Sequence, residues 1–105
     1  MDRKKVILKS IKEFKKDLSS RVEIERMIVF GSLARGKFTK DSDIDLIIVS
    51  KSFRNKLFHK RGLSFDKFWK IDYPFDFICL SPEEFENMRK RISIVSLAEK
   101  EGVEI

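Results

Sequence analysis

Two aspartates separated by one residue, Asp43 and Asp45, stand at the start of an apolar run that ends at Val49. Because alternate residues of a β-strand leave the same face of a sheet, the two carboxylates are predicted to share a face, with their Cβ atoms roughly 6–7 Å apart. Carboxylates at that spacing can converge on a hard divalent cation such as Mg²⁺, which prefers oxygen ligands. The alternative is an exposed strand end at which both acids are solvated and do no chemistry.

A Gly31-Ser32 pair follows an earlier apolar run, Arg26–Phe30. A glycine directly after a buried strand lets the backbone approach a phosphate closely, and the serine adds a hydroxyl donor. The turn can therefore hold a phosphate, while Asp43 and Asp45 can hold the metal ion that neutralises it. This combination favours a nucleotide site over a solvated strand end.

Two other phosphate-binding motifs could explain a glycine-rich turn. Residues Gly31 to Lys37 fit the pattern G-x-x-x-x-G-K, but Phe38 stands where a P-loop needs serine or threonine. No helical pattern follows Lys37, so the structural context of a P-loop is also missing. The dinucleotide pattern G-x-G-x-x-G does not occur in the sequence. Neither motif explains the glycine-rich turn.

Three runs rich in β-branched or aromatic residues predict the strands that position these groups: Arg26–Phe30, Ile44–Val49 and Phe75–Leu80. The polar segment Leu33–Ser42 contains Gly36 and predicts a loop. Because about ten residues are too few for a helical crossover, the first two strands are expected to pair antiparallel.

Three helices are predicted around these strands. Apolar residues at helical spacing predict a helix over residues 3–19, and residues 53–70 also suit a helix, although Gly62 weakens its middle. The last helix is predicted to begin at the Ser81 cap and to end near Gly102. Its predicted buried stripe consists of Phe85, Met88, Ile92 and Val95. A small sheet with helices packed on it would cover these apolar faces.

The composition fits one small domain over residues 1–105. The chain has 105 residues, of which 42% are hydrophobic, and a formal net charge of +6. Its single cysteine excludes an internal disulfide, and its apolar runs are too short for a membrane span, so a soluble cytoplasmic protein is expected. The basic N-terminal stretch also carries acids and is interpreted as a solvated helix face, so no nucleic-acid partner is expected.

The string Gly31-Ser32-x-Ala34-Arg35-Gly36, followed by Ser42-Asp43-x-Asp45, resembles the signature of the nucleotidyltransferase superfamily that includes DNA polymerase beta. The short chain resembles the minimal nucleotidyltransferases, which are often antitoxin partners of HEPN-domain toxins. The resemblance implies an α+β protein with a two-layer α/β nucleotidyltransferase fold, in which helices pack on a small mixed sheet.

The family also implies a third carboxylate on a neighbouring strand. Asp76 fits this role, and Asp72 is a weaker competitor because it precedes Pro74. By resemblance, Asp43, Asp45 and Asp76 would ligate Mg²⁺, with two ions expected, and Asp76 would help to deprotonate the attacking hydroxyl. Gly31 and Ser32 would hold the triphosphate of ATP.

The implied reaction is the transfer of AMP from ATP to a hydroxyl, with a tyrosine of a HEPN-domain toxin as the expected acceptor. The chain would then act as the antitoxin of a toxin–antitoxin pair. The alternative is a non-catalytic module that neutralises its partner by direct binding, with the nucleotide site vestigial. The roles of Arg35 and Lys37 stay open, and Leu33 is assigned none.

Overall fold

The first predicted helix is present in the computed structural model, which describes residues 2–105. This helix, α1, spans Arg3–Leu18. Asp2 caps its N-terminus, because the Asp2 carboxylate accepts a hydrogen bond from the backbone N–H of Lys4 at 3.0 Å. The residues at helical spacing form its buried face: Ile7, Ile11, Phe14 and Leu18. The predicted helix is confirmed, and its apolar stripe packs on the sheet.

The three predicted strands form within their predicted bounds as β1 (Arg26–Phe30), β2 (Ile44–Val49) and β3 (Phe75–Leu80). β2 lies between the other two and pairs antiparallel with β1, as expected, and parallel with β3. A two-residue strand, β4 (Val103–Glu104), was not predicted and pairs antiparallel with β1. The sheet order is therefore β3-β2-β1-β4, which confirms the small mixed sheet.

Both faces of β2 are apolar because both are covered. Its even-numbered residues pack with α1 in one core cluster, and Ile47 and Val49 pack in a second cluster with the C-terminal helices. The α+β class is confirmed, and helical segments cover both faces of the sheet rather than one. On the second face, the position at the start of β2 is occupied by a charged residue, Asp45, which is only half-buried.

The prediction of one helix over residues 53–70 is wrong. Residues 51–70 contain three short 3₁₀ turns instead: Lys51–Phe53, Phe58–Lys60 and Phe65–Phe68. Asn55 and Gly62 have positive φ angles of 61° and 75°, which interrupt any continuous helix. The irregular path lets Phe53 and Phe65, both nearly fully buried, reach the α1 side of the sheet.

The predicted last helix is divided in two, α3 (Pro82–Arg89) and α4 (Ile94–Glu101). Ser93 caps α4, and its hydroxyl also donates a hydrogen bond to the carbonyl of Met88 at 2.7 Å. Ile92 lies in the break and is fully exposed, so its place in the buried stripe is wrong. The predicted start at Ser81 and end at Gly102 are confirmed. Within residues 2–105, no helix combines the length and apolar character needed to cross a membrane.

A buried arginine ties the irregular segment to β3 and α3. The Arg61 side chain is only 6% exposed; its guanidinium donates hydrogen bonds to the carbonyl of Cys79 at 3.0 Å and to Glu84 at 2.6 Å. Glu84 also accepts a hydrogen bond from the N–H of Ser81 at 2.7 Å and so completes the cap of α3. Burial raises the pKa of Glu84, but the hydrogen bonds from Arg61 and Ser81 outweigh it, so the pKa lies below its ordinary value.

We expect Arg61→Met to lower the free energy of unfolding by about 2–3 kcal/mol, below the range for fully buried pairs because Glu84 is partly exposed. Urea denaturation followed by circular dichroism measures this change. Because the pKa of Glu84 is lowered in the folded state, its contribution is present at neutral pH and is lost as the pH falls below about 4.5.

The matched control is Arg54→Met, since Arg54 pairs with Glu83 at the surface, where both side chains are largely exposed. This variant is expected to unfold almost like the wild type. Equal effects of the two substitutions would contradict a structural role for the buried Arg61 pair.

Candidate active site

The three predicted carboxylates lie at one edge of the sheet. Asp45 on β2 and Asp76 on β3 are direct register partners in the parallel pair, so their backbones are roughly 4.8 Å apart and their side chains share a face. This is the face covered by α3 and α4. Asp43 lies just before the first residue of β2 rather than on the strand. Asp72, the weaker candidate, precedes β3 and has no such partner on β2 among the described residues.

The three carboxylates interact electrostatically. Asp45 is half-buried, whereas Asp43 and Asp76 are exposed. Burial raises the pKa of Asp45 above its ordinary value, and the negative charges of Asp76 and Asp43 raise it further, while Arg35 opposes the shift. The site therefore concentrates negative charge around Asp45, and this charge attracts a cation.

Gly31 is in direct contact with Asp45. The register of β1 and β2 places Phe30 opposite Asp45, so Gly31 follows at the position where the carboxylate leaves the sheet. A Cβ atom added to Gly31 would lie 2.2 Å from Oδ2 of Asp45, and the φ angle of Gly31 is +74°. Glycine is needed here for two reasons, the backbone conformation and the space that the Asp45 carboxylate occupies.

The predicted loop after β1 begins with one helical turn, α2 (Gly31–Ala34). The N–H of Lys37 donates to the carbonyl of Ser32 at 2.9 Å, which closes the turn around the half-buried Ser32. Leu33, to which the sequence assigned no role, is 1% exposed and anchors the turn in the α1-side core. The ammonium of Lys4 on α1 donates to the carbonyl of Ala34 at 3.1 Å.

Sequence reasoning missed both of these supports for the turn. A single large apolar side chain within the stretch 31–37 was the available signal for Leu33. No sequence signal indicated Lys4, because its contact joins residues that are 30 positions apart in the chain.

Hydrogen-bonded turns position the strand ends that carry the acids. Thr39 and Ser42 make three hydrogen bonds with each other. The N–H of Ser42 donates to the carbonyl of Thr39 at 3.1 Å, the N–H of Thr39 donates to the Ser42 hydroxyl at 3.0 Å, and the two hydroxyls are 3.2 Å apart. The N–H of Ile44 donates to the carbonyl of Pro74 at 2.8 Å, which extends the pairing of β2 and β3 beyond the strand ends. Hydrogen bonds thus hold the segments that lead into β2 and β3, next to Asp45 and Asp76.

The chemistry of the donor set suits a divalent ion such as Mg²⁺. Asp43, Asp45 and Asp76 offer only carboxylate oxygens, and the Asp43 and Asp76 side chains are exposed to solvent. Residues 2–105 hold no set of three histidine, cysteine, aspartate or glutamate side chains already close enough to enclose one ion. The residues fit a cation that binds with part of its shell supplied by water and phosphate.

Comparisons with known proteins agree with this arrangement. The family model for the nucleotidyltransferase domain matches residues 11–103. The curated "Putative protein adenylyltransferase MJ0141" of Methanocaldococcus jannaschii is 32% identical over 101 residues, which are 94% of this chain and 98% of that protein. A second protein of the same organism, "Putative protein adenylyltransferase MJ0604", is 54% identical over 43 residues, 39% of this chain and 43% of that protein.

A solved structure extends the similarity to three dimensions. The crystal structure of "a putative nucleotidyltransferase from Sulfolobus solfataricus" superposes with a TM-score of 0.68 at 25% identity and covers 96% of this chain and 80% of that chain. The similarity in fold therefore spans nearly the whole chain.

Proposed function

This chain belongs to the nucleotidyltransferase domain family, as its signature indicates, and from that premise we propose that it transfers AMP from ATP to a hydroxyl of a partner protein. The observation that carries the proposal is the register pairing of Asp45 with Asp76 beside the Gly31 turn. One relative, 98% of whose length is matched by this chain, is named a putative protein adenylyltransferase. That name supports a protein as the acceptor.

In the proposed reaction, the acceptor oxygen forms a bond to the α-phosphorus of ATP, the bond from that phosphorus to the bridging oxygen breaks, and pyrophosphate leaves. The exposed carboxylate of Asp76 accepts the hydroxyl proton. The backbone of the Gly31 turn binds the phosphates, and the Ser32 hydroxyl donates a hydrogen bond to them. Asp43, Asp45 and Asp76 would hold Mg²⁺, which supplies charge neutralisation and activation of the attacking oxygen when bound.

We propose a tyrosine of a HEPN-domain toxin as the acceptor, so that the modification silences the toxin and this chain serves as the antitoxin. A phenolic hydroxyl suits the reaction, because its proton is more acidic than that of an aliphatic hydroxyl and is therefore more easily removed by a carboxylate. Because the proposed reaction consumes ATP, we place it in the cytoplasm.

The experiment is label transfer from ATP labelled at the α-phosphate, with Mg²⁺ and the co-expressed HEPN-domain partner. The wild type is expected to label the partner, and peptide mass spectrometry to locate AMP on a tyrosine. Asp76→Asn is expected to lower the rate at least about 100-fold, since it removes the proton acceptor. Asp72→Asn is the matched control, because Asp72 is an exposed acid outside β3 and should label normally.

Equal labelling by the Asp76→Asn and Asp72→Asn variants would contradict the proposed role of Asp76. If Asp43→Ala/Asp45→Ala neutralises the toxin in cells as well as the wild type does, the protein acts by direct binding instead. That outcome would favour the non-catalytic alternative.

A further inference from the structure

An apolar slot of about 200 Å³ lies beside the candidate active site, between the end of β1 and α4. Ala98 is buried and Phe30 half-buried, so they form its deeper part, while the outer wall consists of Ile94 and Leu97, 45% and 50% exposed. We call these four residues the base slot. Gly31 also lines the slot, so the slot opens directly onto the glycine turn.

The register of the sheet shows on which side of the carboxylates the slot lies. Phe30 is the partner of Asp45 on β1, and Asp76 is its partner on β3. Because β2 lies between β1 and β3, the slot and Asp76 are on opposite sides of Asp45. The acceptor hydroxyl, which Asp76 deprotonates, therefore approaches from the side away from the slot.

The lining of the slot is suited to a planar ring that carries hydrogen-bonding groups on its edge. Its interior is apolar, whereas Arg35 and Glu101, both exposed, stand at its rim. Glu101 offers an acceptor for an amino group on the ring, and Arg35 lies close enough to the carboxylates for its charge to act on Asp45. A volume of about 200 Å³ is below that of pockets for drug-sized ligands, so it takes one ring system rather than a peptide segment.

We propose that the base slot binds the purine base of the nucleotide substrate, an inference that rests on the proposed function. The triphosphate then lies across the Gly31 turn toward Asp45, and the base is enclosed by α4 on the β1 side. The slot supplies affinity through burial of the ring, and Glu101 at the rim accepts a hydrogen bond from an amino group on the edge of the base.

The test compares ATP with ribose 5′-triphosphate, which lacks only the base, by calorimetry in the presence of Mg²⁺. The wild type is expected to bind ATP roughly 5- to 100-fold more tightly, in the range found for stacking of one base. Ile94→Ala/Leu97→Ala is expected to remove most of this difference by weakening ATP alone. Ile92→Ala is the matched control, because Ile92 is a fully exposed isoleucine outside the slot.

The outcomes separate the two proposals. If ribose 5′-triphosphate binds as tightly as ATP, or if the double variant binds ATP like the wild type, the base slot is overturned while the proposed function stands. If neither compound binds to the wild type, the proposed function fails and the slot proposal fails with it. A double variant that binds ATP normally but loses its protein partner would make the slot a protein-docking surface and overturn the proposal.

Leu97→Ala alone gives the same test if the double variant fails to fold, since Leu97 is half-exposed and alanine favours the helix. It is expected to weaken ATP about twofold or more without changing the binding of ribose 5′-triphosphate.

Discussion

Replacement of Asp45 with asparagine is expected to abolish nucleotidyl transfer and to stabilise the ligand-free protein at the same time. The central carboxylate is lost from the proposed metal site, which should lower the rate about 1000-fold or more. The same substitution removes a half-buried charge that Asp43 and Asp76 repel, so the free energy of unfolding should rise by about 0.5–1 kcal/mol, a value limited by solvent screening. Label transfer and urea denaturation measure the two effects.

The stabilisation by Asp45→Asn should depend on pH. Because the pKa of Asp45 is raised in the folded state, the folded protein holds this proton more tightly than the unfolded chain does. The Asp45 contribution to wild-type stability therefore declines as the pH rises from about 3.8 through the raised pKa, and this decline is absent from the variant. The variant should exceed the wild type at pH 7 and approach it at pH 4.

Mg²⁺ should reverse the ranking of the two proteins. Binding to the folded state alone raises the melting temperature of the wild type, and the variant should respond far less. If Asp45→Asn is less stable than the wild type at pH 7 without Mg²⁺, the description of Asp45 as a repelled charge is wrong. If both proteins gain equally from Mg²⁺, the ion binds elsewhere.

Gly31→Ala is expected to inactivate the enzyme through a single methyl group. The added Cβ lies 2.2 Å from Oδ2 of Asp45, so the carboxylate must leave its place, and we expect transfer to fall at least about 100-fold, as for a misplaced reacting group. Its φ angle of +74° adds a backbone cost of about 1–2 kcal/mol for alanine. The measurement is label transfer together with urea denaturation.

Gly36→Ala is the matched control for this substitution. Gly36 has a φ angle of +75° but nothing within 4 Å of an added Cβ, so the variant has the backbone strain without the clash. It should lose similar stability from strain and keep most of its activity. Loss of activity to the same extent in both variants would show that the turn conformation, rather than the contact with Asp45, matters.

A double-mutant cycle isolates the contact itself. In an Asp45→Ala background the carboxylate is absent, so Gly31→Ala should cost only the backbone strain that Gly36→Ala reveals. The coupling between the two positions is then measured as a difference in unfolding free energy, without reference to catalysis. Additive effects would mean that the Gly31–Asp45 contact has no energetic consequence.

The strands could be predicted from the sequence because their apolar runs are short, rich in β-branched residues and bounded by polar residues or turns. β2 is one example, since Ser42-Asp43 precedes it and Ser50 follows it. The helix over residues 53–70 was wrong because its apolar residues serve two environments: Phe53 and Phe65 enter the core, whereas Phe58 is 57% exposed. Composition alone does not distinguish these two uses of an aromatic residue.

The candidate site was predictable in its parts but not in its contacts. The spacing of Asp43 and Asp45 is local, and Asp76 followed from the resemblance. The contact between Gly31 and the Asp45 carboxylate depends on the register of β1 and β2, which the sequence does not state. The break between α3 and α4 was also missed, although Ser93 and Ser96 form a cap signal there. Because the break was not predicted, α4 and the base slot that it lines were not predicted either.

The pairing of β4 with β1 has a practical consequence for attaching the protein to a sensor surface or a fluorescent reporter. β4 runs antiparallel to β1, and Ile105 donates its N–H to the carbonyl of Met27 at 2.9 Å, so this end of the chain points away from Gly31. Lys4, by contrast, contacts Ala34 next to the glycine turn. A tether placed after Ile105 should leave the candidate active site open to a large partner. A tether placed before Asp2 would lie near the glycine turn and obstruct that site.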